Sequence, residues 1–414
     1  MSEIHERLEE LRDAGLYRRM RMVSGPQGPR VLLDGKEVLL LCSNNYLGLA
    51  DHPRVRTAAA DAAMRYGAGS GASRLVSGNM TLHRRLEERL ASFKESARCV
   101  LFGSGYLANL GVIQALARKG DVVFSDALNH ASIIDGCKLA GAETFVYRHV
   151  DMEHLEWGLR ESGGRGSLIV TDGVFSMDGD VAPLVRIVEL ARRYDARVMV
   201  DEAHATGVLG PGGRGSVAAA GLEGEVDLIV GTLGKALGSY GAYVCCDTAM
   251  KRYLVNTART LIFSTGPAPP VVAAAIAALE ILSEQPRRVE RLGRNAHTLR
   301  TALAAHGLNP PEGETPIVPV VVGDAARAVS LCERILRHGV FAQAIRPPTV
   351  PDGTSRLRLA AMATHNTAEL QRAAAQIGAA ARAEDALTAN RELRTAHLFD
   401  YDVHATQPVM ERAA

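Results

Sequence analysis

Six short runs of this chain are apolar almost without alternation: 97–102 (ARCVLF), 121–126 (DVVFSD), 144–149 (TFVYRH), 167–172 (SLIVTD), 196–203 (ARVMVDEA) and 227–232 (DLIVGT). A strand with one face in water alternates polar and apolar residues. A strand that is apolar at successive positions has both faces covered. Between these runs lie helical patterns such as LHRRLEERLASF (82–93) and LVRIVELARRY (184–194), with apolar residues at three- and four-residue spacing. Parallel strands need long crossovers, and helices are the usual ones. The pattern therefore predicts an α/β fold with a mainly parallel sheet between helices.

The boundaries follow from the same reading. Residues 1–50 form an N-terminal helix and a hairpin segment, with the turn at Asp34-Gly35 between apolar runs. Residues 51–285 form the large domain. Residues 286–381 form a smaller C-terminal α/β domain, built on a long helical pattern at 287–307 and the strands IVPVVVG (317–323) and SRLRLAA (355–361). The tail, 382–414, has no clear pattern.

In an open parallel sheet, ligands sit at the carboxyl ends of the strands. The segments that follow the strands are GSGYLAN (103–109), ALNHAS (127–132), GVFSMDGD (173–180), DEAHATG (201–207) and TLGKALG (232–238). Together they would deliver Gly105, His130, Ser176, Asp201, His204, Thr232 and Lys235 to one crevice.

Composition narrows the classes. Nearly half of the residues are hydrophobic (47%), and the formal net charge is +1. No clustered positive charge supports a nucleic-acid or membrane-surface partner. The six cysteines are scattered without a CxxC pair, as expected of reduced thiols, and there is no HExxH, so no metal site is expected. The N-terminus lacks an apolar h-region. The longest apolar stretch, 271–282, is too short to span a bilayer and contains Glu280. A cytoplasmic protein is expected.

Two chemistries compete for the crevice. GSGYLA (103–108) fits a loose GxGxxG/A pattern after a strand, and Asp126 ends the next strand, as a nicotinamide-dependent oxidoreductase would require. GAGSGA (67–72) fits the pattern too, however, and a glycine turn at a helix N-terminus binds any phosphate. Lys235 is the discriminating residue. It has no glycine five positions earlier and no Ser or Thr after it, which excludes a P-loop. A lysine desolvated in a crevice has a lowered pKa and forms Schiff bases. Pyridoxal phosphate needs such a lysine together with a phosphate site and a carboxylate for its ring nitrogen. Asp201 suits the last role. A non-catalytic binding protein on the same fold would bind the cofactor without turnover.

DEAHATG (201–207) followed by GTLGKALG (231–238) resembles the signature of the α-oxoamine synthases, which are pyridoxal-phosphate enzymes of fold type I. The resemblance runs from about Leu16 to about Ala380. It includes SNNYLGLADHP (43–53), GSGASRLVSGN (69–79), DGVFSMDGD (172–180), FSTGPAPP (263–270), TPIVPVVVGD (315–324) and IRPPTVPDGTSRLRL (345–359). It implies a large domain with a seven-stranded sheet and a decarboxylative condensation of an amino acid with an acyl thioester. The last three stretches are most similar to the branch that takes L-alanine and a pimeloyl thioester, carried by CoA or by an acyl carrier protein. Sister branches use glycine or serine with another acyl-CoA. AAMATHN (360–366) departs from the family's usual SAAHT.

The resemblance also implies residue roles. Lys235 forms the Schiff base and serves as acid and base, Asp201 pairs with the pyridine nitrogen, and His204 bonds the phenolic oxygen with Ser176 beside it. His130 stacks on the ring and helps polarise the substrate. Ser104, Gly105, Tyr106 and Thr232 hold the phosphate, joined by Ser264 and Thr265 from the neighbouring subunit of a homodimer. Arg358 grips the amino-acid carboxylate with Asn44 nearby, and Arg18 and Thr349 contact substrate.

Overall fold

The computed structural model of the chain describes residues 2–383. The expected C-terminal tail lies outside the described residues from 384 onward. After a helix at Ser2–Asp13 come β1 (Val23–Ser24), β2 (Arg30–Leu33) and β3 (Lys36–Leu40). β2 and β3 form an antiparallel hairpin whose turn is Asp34-Gly35, both at positive φ (49° and 81°). The glycine adopts this conformation without a Cβ penalty.

The central sheet contains β4 (Arg98–Phe102), β5 (Val122–Asp126), β6 (Glu143–Tyr147), β7 (Ser167–Asp172), β8 (Arg197–Asp201), β9 (Leu228–Thr232) and β10 (Ala242–Cys246). Their order is β4-β10-β9-β8-β7-β5-β6. The expected seven-stranded, mainly parallel sheet is present. The strand missing from the six sequence runs is β10, the one that is antiparallel to both its neighbours. Unbroken apolarity has the anticipated cause. Ile169, Val198 and Val200 feed one core, while Leu168, Val170 and Met199 feed the core on the opposite face.

The C-terminal part carries β11 (Ile317–Gly323), β12 (Val340–Phe341), β13 (Gln343–Ile345) and β14 (Ser355–Ala360). Strands β11, β14 and β13 form an antiparallel sheet, whereas β12 pairs in parallel with β3 and so ties the N-terminal hairpin to this region. Leu39 and Leu41 share its core with Leu299, Leu331, Leu359 and Leu370. Arg358 thereby reaches the large sheet's carboxyl edge from β14. Among the described residues, no helix is long and apolar enough to cross a membrane.

Candidate active site

Strands β4, β5, β7, β8 and β9 point the same way, so their carboxyl ends open onto one edge of the sheet. The loop after β9 carries Lys235. It is short because β10 returns directly beside β9: Leu233 N–H donates to Gly241 O (2.9 Å), Ser239 N–H to Leu233 O (2.8 Å) and Gly238 N–H to Lys235 O (3.0 Å). A Cβ on Gly238 would stand 2.3 Å from Ala50 N, and its φ is +60°. Only glycine lets this loop close against the chain entering from residue 50.

Lys235 Nζ lies 2.8 Å from His204 Nε2. His204 Nδ1 lies 2.7 Å from the hydroxyl of Tyr46, which is fully buried. Burial and the neighbouring positive charges of Lys235 and Arg358 push His204 well below the usual histidine range. It is therefore neutral, with one nitrogen free to accept. Burial also lowers the Lys235 amine to about 8, partly opposed by Asp201 and Asp172 and assisted by Arg358. This is the condition for a lysine that must react as a free amine.

Asp201 ends β8 and is 4% exposed. Asn109 Nδ2 donates to its Oδ2 (2.7 Å) and Ala203 N–H to its Oδ1 (2.8 Å). Asn109 also bonds Ser132 Oγ (2.8 Å), so one amide aligns the carboxylate with the helix that begins after His130. His130 itself is exposed to the crevice. Its backbone N–H donates to Asp172 Oδ2 (3.0 Å), and its Nδ1 meets Ser132 Oγ at 2.7 Å. Ser104 caps the helix Gly105–Leu116 by accepting from Leu107 N–H (3.2 Å). The first N–H groups of that helix, at Gly105 and Tyr106, have no intrahelical acceptor. A Cβ on Gly105 would meet nothing within 4 Å. This open helix N-terminus is an anion cradle.

Arg358 is buried (6% exposed). Its Nε donates to the Ser176 carbonyl, and its Nη2 donates to Asn44 Oδ1 and Tyr46 Oη, both at 3.2 Å. Nη1 carries no hydrogen bond among the described residues. A guanidinium fixed along one edge with the other free is arranged to receive a carboxylate. Lys235, His204, Asp201, His130, Ser176, Asn44 and Arg358 are thus neighbours, as are Ser104, Gly105 and Tyr106 at the cradle.

The remaining candidates stand apart. The Thr232 hydroxyl donates to Gly241 O (3.1 Å) and accepts from Gly234 N–H (3.2 Å), so it is spent inside the loop. Ser264 and Thr265 precede the helix Pro269–Glu284, where Thr265 bridges Ser73; no hydrogen bond joins them to the crevice within one chain among the described residues. Arg18 is exposed and reaches Pro347 O (3.4 Å), which brings it close to Thr349, also exposed. Asp126, the acid of the dinucleotide alternative, is already engaged within the protein. Its carboxylate is taken by His149 (2.8 Å), Leu128 N–H (2.8 Å) and Val150 N–H (2.9 Å). Sequence reasoning missed Tyr46 and Asn109. Tyr46 lies inside the quoted stretch SNNYLGLADHP, and no pattern singles out Asn109. Among the described residues no group of three or more His, Cys, Asp or Glu could hold a metal.

Comparison with known proteins agrees with this geometry. The family described as aminotransferase class I and II matches residues 36–377. An 8-amino-7-oxononanoate synthase of Geobacter sulfurreducens is 54% identical over 371 residues, covering 89% of this chain and 95% of that protein. One from Lysinibacillus sphaericus is 48% identical, covering 88% of this chain and 94% of its own. Among solved structures, a serine palmitoyltransferase of S. paucimobilis with a bound PLP–myriocin aldimine superposes with a TM-score of 0.88 at 34% identity, covering 92% of this chain and 98% of that one. An 8-amino-7-oxononanoate synthase of Francisella tularensis superposes at 0.73 with 28% identity, covering 84% and 99%.

Proposed function

This chain belongs to the class I and II aminotransferase family and, within it, to the α-oxoamine synthases, and from that premise we propose that it condenses L-alanine with a pimeloyl thioester to give 8-amino-7-oxononanoate, carbon dioxide and the free thiol carrier. The chain is a pyridoxal-phosphate-dependent acyltransferase of biotin synthesis. The observation that carries the reading is the meeting of the Lys235 amine with neutral His204 in a crevice that also holds Asp201 and Arg358. The curated relatives supply the choice of substrates.

The residues fit the cofactor. When bound, pyridoxal phosphate supplies an aldehyde for primary amines and a ring that accepts electrons from the neighbouring carbon. The phosphate would lie on the N–H groups of Gly105 and Tyr106 with the Ser104 hydroxyl beside them. Asp201, braced by Asn109, would keep the ring nitrogen protonated. His204 and Ser176 would bond the phenolic oxygen, and His130 would cover the ring face. Thr232 would reach the phosphate only by giving up its bond to Gly241 O.

Lys235 Nζ acts twice in this scheme. As a free amine it holds the cofactor, and once displaced it removes the Cα proton of L-alanine and later returns one. Arg358 grips the alanine carboxylate with Asn44 at its side, fixing which Cα bond faces Lys235. Arg18 and Thr349 contact substrate, and the carrier of the acyl thioester is CoA or an acyl carrier protein. Two chains form a homodimer, with Ser264 and Thr265 completing the partner's phosphate site. Exposed Leu75, Val76, Tyr240 and Phe263 support that assembly.

The direct test adds L-alanine and pimeloyl-CoA to the cofactor-loaded protein and follows free thiol and the mass of the product. Stoichiometric CoA and 8-amino-7-oxononanoate are expected. Thiol release with glycine or L-serine alone would move the chain to a sister activity, and none with any amino acid would overturn the reading.

The lowered amine predicts a pH profile. With a pKa of about 8, roughly one tenth of Lys235 is neutral at pH 7, against well under a thousandth for an unperturbed lysine. Capture of pyridoxal phosphate by cofactor-free protein should quicken about tenfold per pH unit below 8 and level off above it. Stopped-flow absorbance reads this directly. A rate still rising at pH 10 would show that the amine is not lowered.

A further inference from the structure

His149 has no role in the scheme above, yet it holds the segment that aims Arg358. It follows β6 and is 9% exposed. Its Nδ1 lies 2.8 Å from Asp126 Oδ1 and its Nε2 lies 2.8 Å from Asp180 Oδ2. Carboxylates only accept, so both ring nitrogens donate and the ring is a cation. Burial opposes that charge, but the bonds and charges of the two aspartates outweigh it and raise the histidine to about 10. Asp126 is anchored in turn by two backbone N–H groups.

The other aspartate closes a tight loop. Phe175 N–H donates to Asp180 O (3.0 Å), Gly179 N–H donates to Phe175 O (2.9 Å), and Val174 bridges Val181. The edge contact of Phe175 with the His149 ring, at 4.4 Å between centroids, packs the loop's stem on the same side chain. The far side of the loop meets β14 and its approach: Asp178 pairs with Arg356, Thr315 Oγ1 donates to Gly179 O (2.7 Å), and the Ser176 carbonyl accepts from Arg358 Nε. Lys235 hangs from another strand, and Asp201 meets this loop through its backbone, where its carbonyl accepts from Gly173 N–H (2.7 Å).

We propose that His149 is a positioning residue: clamped between Asp126 and Asp180, it fixes the 173–181 loop so that the Ser176 carbonyl orients Arg358 toward the carboxylate of the amino-acid substrate. The inference rests on the reading that Arg358 receives that carboxylate. A glutamine at 149 cannot donate from two opposed ring positions, so the loop loses one of its anchors, while Lys235, Asp201 and His204, carried by other strands, keep theirs.

The experiment compares His149→Gln, Asp180→Asn and Arg358→Ala as cofactor-loaded enzymes, measuring KM for L-alanine, KM for pimeloyl-CoA, kcat and visible absorbance. For His149→Gln the alanine KM should rise about tenfold, the scale expected when a charge-assisted contact is misaligned. The thioester KM should be unchanged and kcat nearly so, with at most a small shift of the absorbance through Ser176, and Asp180→Asn should follow the same pattern. A folded His149→Gln with an unchanged alanine KM beside a raised one in Arg358→Ala would overturn the positioning role alone. An unchanged alanine KM in Arg358→Ala would overturn the carboxylate reading and the inference with it. Parallel losses in both KM values and in absorbance would show a general structural role and overturn it as well. If His149→Gln is insoluble, Asp180→Asn decides by the same criteria.

Discussion

Lys235→Ala is expected to reduce turnover by at least about 10²–10⁴-fold, the share of a positioned proton-transfer group alone, and to remove the absorbance band of the cofactor's Schiff base with the protein. The two losses have one cause. In the proposed scheme the Nζ atom is both the amine that holds the cofactor and the group that moves the Cα proton, and among the described residues no second lysine bonds the crevice groups to replace it. Among the described residues the only hydrogen bond of its side chain is to His204 Nε2. The loop around it is closed by backbone bonds that survive the change. Circular dichroism and thermal unfolding without cofactor should therefore stay close to wild type. Thiol release at the wild-type rate would remove Lys235 from the mechanism.

The second large effect is on stability. Lys94→Met should lower the unfolding free energy by about 3–5 kcal/mol, the usual result of removing one member of a buried ion pair. Lys94 and Glu202 pair with side chains 2% and 0% exposed. Lys94 Nζ also donates to Thr206 Oγ1 (3.0 Å) and to Arg214 O. Glu202 accepts from Ser216 Oγ (3.0 Å) and Val217 N–H (2.7 Å) through its other oxygen. A methionine fills the space of the lysine stem but leaves the Glu202 carboxylate buried without its cationic partner. Urea unfolding of the cofactor-free protein measures the loss as a shift of midpoint at constant slope. A shift under about 1 kcal/mol would mean that Glu202 finds another donor or takes up a proton.

The sequence revealed the site through its strand ends, because burial of both sheet faces leaves the carboxyl termini as the natural place for polar side chains. Asp201, His204 and Lys235 were legible for that reason, and Arg358 only through family resemblance. What supports them was not legible. Tyr46 and His204 are 158 residues apart, Lys94 and Glu202 108, and Asn109 and Asp201 92. Periodicity reports which face of an element is buried, not which distant side chain arrives there. β10 escaped the strand count for a related reason: its neighbours are antiparallel to it, so no crossover helix marks it. Asp126 misled in the opposite direction. Its place at a strand end suggested a ribose partner, whereas His149 and two backbone amides take up its oxygens.

The return of β10 beside β9 has a kinetic consequence. Ladder bonds seal the 233–241 loop at both ends, and Gly238 is wedged against residue 50. These contacts brace the backbone beneath Lys235, so the amine moves chiefly by turning its own side-chain torsions. Rotations of exposed side chains take picoseconds to nanoseconds, whereas loop and domain rearrangements take microseconds to milliseconds. Swinging the lysine between its two tasks therefore calls for no loop or domain rearrangement. A rearrangement of that slower kind belongs to the opposite wall, if to either, since Arg358 is carried on a different sheet from the one that carries the lysine.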